Sequence, residues 1–186
     1  MLASIAIVAA ALATHGVGVS ADAASAQPTR TVVVHTTGSV AGQSFGAVVD
    51  AFAFHSPTVS GTNATVDATV GTAMECQTDK ADVVIRTKGL AEVTLTGHVS
   101  GTCFDFDTSQ STSWNATLHL NWRGTGGVRV ESFNDGVCTT RFEQRPAIER
   151  GSLVWTIPST GQSGTATPIY NSTLERDTTR CAATSS

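Results

Sequence analysis

The residues of this chain best suited to chemistry fall in one stretch, Trp114 to Glu143. His119, Asn121 and Arg123 occupy alternate positions of W-N-A-T-L-H-L-N-W-R, between the apolar Trp114, Ala116, Leu118, Leu120 and Trp122. Arg129 and Glu131 alternate in the same way with Val128 and Val130, and Arg141 and Glu143 with Thr140 and Phe142. Strict alternation marks half-buried strands, with one face in the core and the other in solvent. Three-residue turns at Gly124-Thr125-Gly126 and Asn134-Asp135-Gly136 would fold the three segments into a meander. That register sets His119 against Glu131, Asn121 against Arg129, Val128 across from Phe142 and Val130 across from Thr140. A His–Glu pair can act as a proton-transfer unit. Two neighbouring guanidinium groups, Arg129 and Arg141, can grip a carboxylate or sulfate through paired N–H donors. His119 and Glu131 are thus the candidate catalytic residues, and Asn121, Arg123, Arg129 and Arg141 the candidate binding residues. Mixed charge of this kind is also what an ordinary solvated sheet face carries.

Other spacings lack the context their chemistry requires. Gly42-Gln43-Ser44-Phe45-Gly46 matches the G-x-S-x-G serine turn of α/β-hydrolases, but a strand-like segment follows it rather than a helix. Asp50 shares a face with Phe52 and Phe54, where an unpaired carboxylate would be costly. The opposite face, Ala47, Val49, Ala51 and Ala53, is equally apolar and is expected to turn inward instead. Asp105 and Asp107 alternate with Phe104 and Phe106, which places the phenylalanines inside and the carboxylates on a charged edge. A calcium ion would need several more oxygen ligands there. His35, His55, His98 and His119 show no metal-ligand spacing, so neither metal nor cofactor is expected. N-x-[ST] triplets at Asn63, Asn115 and Asn171 arise readily in so Thr- and Ser-rich a chain.

The four cysteines contain no C-x-x-C pair. Val83 and Ile85 should share a face with Val93 and Leu95, which requires an odd-length loop, Lys88-Gly89-Leu90. Arg86 then faces Glu92, and residue 76 falls opposite residue 102, so Cys76 and Cys103 meet at the open end of the hairpin. Cys138 pairs with Cys181 by elimination, one of three arrangements that four cysteines allow.

The elements that position these groups are strands. The chain is rich in Thr, Val, Gly and Ser, shows no sustained helical period, and at 186 residues suits one domain. Charged residues make up only 14% and the net charge is −4, which argues against a nucleic-acid binder. Nine of the 11 basic residues are Arg, a bias that suits bidentate anion recognition but also follows from genome base composition. Strands are expected at 29–37, 47–55, 64–70, 82–88, 91–99 and 102–107, before the meander. Arg145-Pro146 is expected to break the third meander strand. Leu153, Trp155 and Ile157 define a further inward-facing strand, and Pro168 divides 165–174 into short pieces. The polar tail from Glu175 is expected to be tied down only through Cys181.

At the N-terminus, Leu2 to Leu12 is apolar but shorter than the roughly 20 residues a bilayer span needs. A-x-A patterns at Ala21-Asp22-Ala23 and Ala24-Ser25-Ala26 follow. Residues 1–26 read as a secretory signal cleaved after Ala23 or Ala26, though without the usual basic start. Export suits an even number of cysteines and leaves no transmembrane span in the mature chain, 27–186.

The stretch Leu120-Asn121-Trp122-Arg123-Gly124-Thr125-Gly126, with Arg145-Pro146-Ala147 and Gly151, resembles a pattern in uncharacterised secreted β-rich proteins of actinobacteria. The resemblance implies an exported single β domain. It implies no activity, cofactor or site residue, and the Cys138–Cys181 clamp is not part of it.

The sequence therefore specifies an all-β domain, a single antiparallel β-sandwich or β-barrel of about eight to ten strands with two disulfides. A packed form suits a binding or structural module at or outside the cell surface, with an extracellular ligand or protein as partner. A hollow barrel lined by Trp114, Trp122, Phe104 and Phe106 would suit a carrier of a small apolar ligand. A secreted hydrolase would centre on His119 and Glu131. Denatured, unreduced protein is expected to show no titratable thiol; a free thiol in that assay would exclude the two-disulfide framework.

Overall fold

The computed structural model of the protein describes residues 29–182. The expected signal segment at 1–26 lies outside them. Alternation of small or β-branched residues with polar ones gives ten strands and, among the described residues, no helix. They are β1 (Thr29–Gly42), β2 (Phe45–His55), β3 (Ser60–Val70), β4 (Met74–Thr87) and β5 (Glu92–Asp105). They continue with β6 (Gln110–Gly124), β7 (Arg129–Asn134), β8 (Cys138–Ile157), β9 (Gln162–Pro168) and β10 (Ser172–Cys181).

All pairings are antiparallel, and β1 to β6 pair in chain order. β6 then pairs β8, β8 pairs β10, and β10 returns to β1. This cycle closes the sheet into a barrel, with β3 and β4 paired only from Asp67↔Gln77 to Val70↔Met74 and β7 keeping a free outer edge. Of the two expected architectures, the barrel is the one formed.

The 20-residue strand β8 organises the closure. Along one edge it pairs β6 from Thr156 to Ala147 and then β7 from Gln144 to Thr139. β6 and β7 therefore run in the same direction, as one long strand interrupted at Thr125–Val128. Along its other edge β8 pairs β9 from Ile157 to Leu153, and β10 from Ala147 to Cys138. β9 and β10 are likewise one strand with a piece looped out, residues 169–171.

The expected meander is corrected by this arrangement. Gly124-Thr125-Gly126 does not reverse the chain; it is a break in a continuing strand. β7 consequently lies beyond the barrel wall, with all six residues exposed. Val128 and Val130 are exposed rather than core. Pro146 does not break β8. Its carbonyl accepts the Thr125 N–H, so its missing donor points at the β6–β7 break, where no strand awaits it. The segment after Glu175 is strand β10 rather than a loosely held tail, because both of its edges are paired.

The β4–β5 hairpin differs in detail. Leu90 turns into the core, which lengthens the loop and sets Arg86 opposite Thr94; Glu92 meets Lys88 instead. A bulge between Thr78 and Lys80 restores direct opposition of Cys76 and Cys103. Both expected disulfides, Cys76–Cys103 and Cys138–Cys181, are formed. The second joins the outer ends of β8 and β10, where their register places the two residues opposite each other.

An eight-stranded barrel is just wide enough for side chains to fill it. Here Trp114, Trp122, Leu95, Leu118, Leu120, Leu153, Ile157 and Leu174 from one wall meet the smaller Val49, Ala51, Ala64, Val66 and Ala68 of β2 and β3. Phe45 stacks on Trp155 with ring centroids 4.9 Å apart. Phe104 and Phe106, expected inside, are 39% and 56% exposed and contact each other at the rim. Cys103 takes the inward position instead. Gly151 permits a close approach of β8 to β6, since a Cβ there would strike the His119 carbonyl.

Leu118→Ala should lower unfolding free energy by about 2–5 kcal/mol, because the closed barrel cannot collapse onto the void. Val130→Ala should change it by less than about 1 kcal/mol. Urea unfolding of the two variants checks both, and a reversed order would contradict the observed register.

Candidate functional site

β1, β7, β8 and β10 extend past one end of the barrel. The sequence places alternate residues of each extension on the same side. Arg30 comes from β1, Ser132 from β7, Thr139, Arg141 and Glu143 from β8, and Arg176, Thr178 and Arg180 from β10. Together they line a cavity of about 300 Å³.

Glu143 anchors this cluster. It is only 6% exposed, and both carboxylate oxygens are used. Arg176 donates through Nε to Oε2 at 2.7 Å and through Nη2 at 2.6 Å. Arg141 Nη2 lies 3.1 Å from Oε1. A buried carboxylate needs this much compensation, and in return it fixes two flexible guanidinium groups. Arg30 and Arg180 face each other directly across the β1–β10 pair. Among the described residues neither has an ion-pair partner. Opposed like charges on neighbouring strands are destabilising. Four guanidinium groups around one carboxylate thus concentrate positive charge in a chain whose net charge is −4.

The other residues expected from sequence are placed separately. His119 is exposed on the outer wall, opposite Thr96 of β5 and Ser152 of β8. Glu131 lies on β7, opposite Phe142, and is ion-paired with Arg129. The structure does not bring His119 and Glu131 together, because β7 continues β6 instead of folding beside it. Asn121 donates to Glu92 at 2.9 Å, and Arg123 lies directly opposite Glu92. Arg129 and Arg141 fall on opposite faces, since the β7–β8 register differs from the expected one by an odd number of residues. Only Arg141 of the six belongs to the arginine cluster. Its partners Arg176 and Arg180 were legible in principle, as alternate positions with Leu174 and Thr178, had 172–181 been read as a strand.

Asp50 points outward, as the alanine face of β2 implies, and accepts a hydrogen bond from Thr37. His35 stands between two carboxylates, its Nε2 3.7 Å from Asp50 and its Nδ1 3.7 Å from Glu175. The bond to Asp50, and the charges of both acids, hold the His35 pKa above its ordinary 6.5. Asp105 accepts the backbone N–H groups of Asp107 and Thr108 and so caps its own turn. Ser44 of the G-x-S-x-G match sits at a positive φ of 53° in the tight β1–β2 turn, with antiparallel strands on either side. Among the described residues, no group of three His, Cys, Asp or Glu side chains is placed to hold a metal ion.

Glu149 is a second buried acid, and sequence reading passed over it although it keeps step with Leu153, Trp155 and Ile157. Its side chain enters the barrel beside Trp122, 6% exposed. Ser172 donates to Oε2 at 3.1 Å, while Oε1 has no hydrogen-bond partner. The Ser39 N–H and the Trp122 indole N–H are turned towards the carboxyl group, although the indole does not close a hydrogen bond. Burial outweighs these donors and pushes the Glu149 pKa up to about 7 from an ordinary 4.5. The carboxyl fills the space a side chain at Gly38 would need.

Both shifts have the same sign for stability. The folded state holds the Glu149 proton more tightly than the unfolded state, so stability falls as pH rises from about 4.5 through 7. His35 adds stability that is complete below 6.5 and lost as pH rises through its raised value. Chemical unfolding should therefore show a less stable protein at pH 8 than at pH 5. Glu149→Gln should recover on the order of 3 kcal/mol at pH 8 and little at pH 5. A flat profile in the unmodified protein would refute the assignment. Comparison with protein-family models, curated proteins and solved structures finds no match that assigns this chain a family or an activity.

Proposed function

We propose that this is an exported binding domain that takes an anionic group of an extracellular ligand at the arginine end of its barrel. One observation carries the reading: Arg30 and Arg180 oppose each other without a counter-ion among the described residues, beside two arginines fixed by buried Glu143. A carboxylate, sulfate or phosphate placed there would accept from guanidinium forks already oriented and would relieve the like-charge contact. Preorganisation lowers the entropy cost of binding. Two disulfides and the N-terminal signal pattern support export.

The two alternatives draw less support. A carrier of apolar ligands needs a hollow interior, whereas Trp114, Trp122 and their neighbours occupy this one. A hydrolase centred on His119 and Glu131 needs the two in reach of each other, whereas they stand opposite Ser152 and Phe142, far apart along the same edge of β8.

Thermal unfolding in sulfate, phosphate, citrate and a sulfated oligosaccharide tests the reading at constant ionic strength. A bound anion at about 100 times its Kd should add roughly 2.7 kcal/mol and raise Tm accordingly. The double variant Arg30→Ala/Arg180→Ala should abolish the rise, while His119→Ala should leave it unchanged. No selective rise with any anion, or an unchanged rise in the double variant, would overturn the proposal.

A further inference from the structure

The barrel wall has an interruption beside β8 that the arginine end does not involve. β9 and β10 pair β8 in a single continuous register, Gln162↔Ile157 to Ala166↔Leu153 and then Ser172↔Ala147 to Cys181↔Cys138. Between these ladders, Ile148 to Ser152 of β8 have no partner on that edge. Thr167 and Pro168 stay with β1, and the Ile169 N–H is held by the Ser39 carbonyl at 3.0 Å. The loop is thus fastened on its β1 side and open on its β8 side. Glu149 lies under this opening, at the floor of a cavity of about 320 Å³ bordered by Pro168, Ile169, Tyr170 and Asn171.

We propose that this opening is a binding site for a small organic ammonium ion, with Glu149 as its counter-charge. The groups that meet the carboxyl are hydrogen-bond donors: the Ser172 hydroxyl, the Ser39 N–H and the Trp122 indole N–H. Together they suit a carboxylate, while the Ser172 hydroxyl can instead accept the proton of the neutral acid. Yet among the described residues no cation pairs with Glu149. From β1 the group is met by Gly38 and Ser39, from β6 by Trp122, from β10 by Ser172, and from the loop by Tyr170. None of these carries a positive charge, and Tyr170 is the only one with a titratable side chain. Among the described residues the buried Oε1 has no hydrogen-bond partner, on a residue only 6% exposed. A single buried carboxylate is a poor site for a metal ion, which would require further oxygen or nitrogen ligands. It is a sufficient site for one N–H⁺ donor, provided the rest of the ligand finds apolar cover. Ile169 and Tyr170 are 48% and 72% exposed at the rim and offer that cover, the phenol ring also attracting a cation by its face.

Benzylammonium chloride is the probe, with benzyl alcohol as its neutral counterpart, titrated at pH 8 by calorimetry and by tryptophan emission. Saturable benzylammonium binding is expected, perturbing Trp122, with benzyl alcohol at least about tenfold weaker. Glu149→Gln should weaken benzylammonium at least about tenfold, and Tyr170→Ala, an exposed loop change, by about threefold or more. Affinity should rise from pH 5 to pH 8 as Glu149 ionises. Thermal unfolding of each variant verifies the fold; should Glu149→Gln not fold, Tyr170→Ala and the neutral counterpart decide. Absence of saturable binding, equal affinity for benzyl alcohol, or full affinity retained in folded Glu149→Gln would each overturn the proposal.

Discussion

Everything in this molecule depends on keeping both edges of β8 hydrogen-bonded. A strand of 20 residues presents two long rows of backbone donors and acceptors, and a buried row left unpaired is costly. The chain meets the requirement with two partners per edge, β6 and β7 on one and β9 and β10 on the other. The break at Thr125–Val128 shifts the register of the β6–β7 rail against β8, whereas the gap at 169–171 leaves the β9–β10 register unchanged. The candidate ligand sites are tied to this solution. The arginine cluster sits on the part of β8 that overshoots the barrel, and Glu149 sits under the second break.

The two acids buried inside illustrate opposite electrostatic outcomes at equal burial, each 6% exposed. Glu143 is bonded by the guanidinium groups of Arg141 and Arg176 and in turn locks both in place. Glu149 is met by neutral donors alone, which are too weak to offset desolvation, and its proton is retained to near neutral pH. The difference comes from neighbours on other strands rather than from adjacent sequence. Arg176 faces Glu143 across the β8–β10 ladder, while Ser172 and Trp122 occupy the corresponding places around Glu149.

Packing inside the barrel is asymmetric, and this too limits what the protein can do. β2 and β3 contribute Ala47, Ala51, Ala64 and Ala68, and the opposite wall contributes Trp114, Trp122, Leu95, Leu118, Leu120, Leu153 and Leu174, which fill the space those alanines leave. A barrel of this strand number has little room beyond its own side chains. Recognition is therefore displaced to the ends and to the wall, where the extensions and the looped-out residues 169–171 provide concave surface.

The sequence by itself determined most of the strands, the inward faces of β2, β3, β6 and the second half of β8, the outward placement of Asp50 and the Cys76–Cys103 pair, which left Cys138–Cys181 by elimination. These depend on period-two alternation and on local hairpin register, which are properties of neighbouring residues. It did not determine which strands pair at a distance. Gly124-Thr125-Gly126 is compatible with either a turn or a strand break, and the choice rests on which strands pair with the two edges of β8. That choice placed Glu131 away from His119, put Arg141 on the opposite face from Arg129 and brought Arg30, Arg176 and Arg180 to it from the two ends of the domain. It also decided that Glu149 lies beneath an opening rather than behind a continuous wall. Both candidate sites are products of barrel closure, whose cost and gain are shared among residues more than a hundred positions apart, and no local pattern encodes that sum.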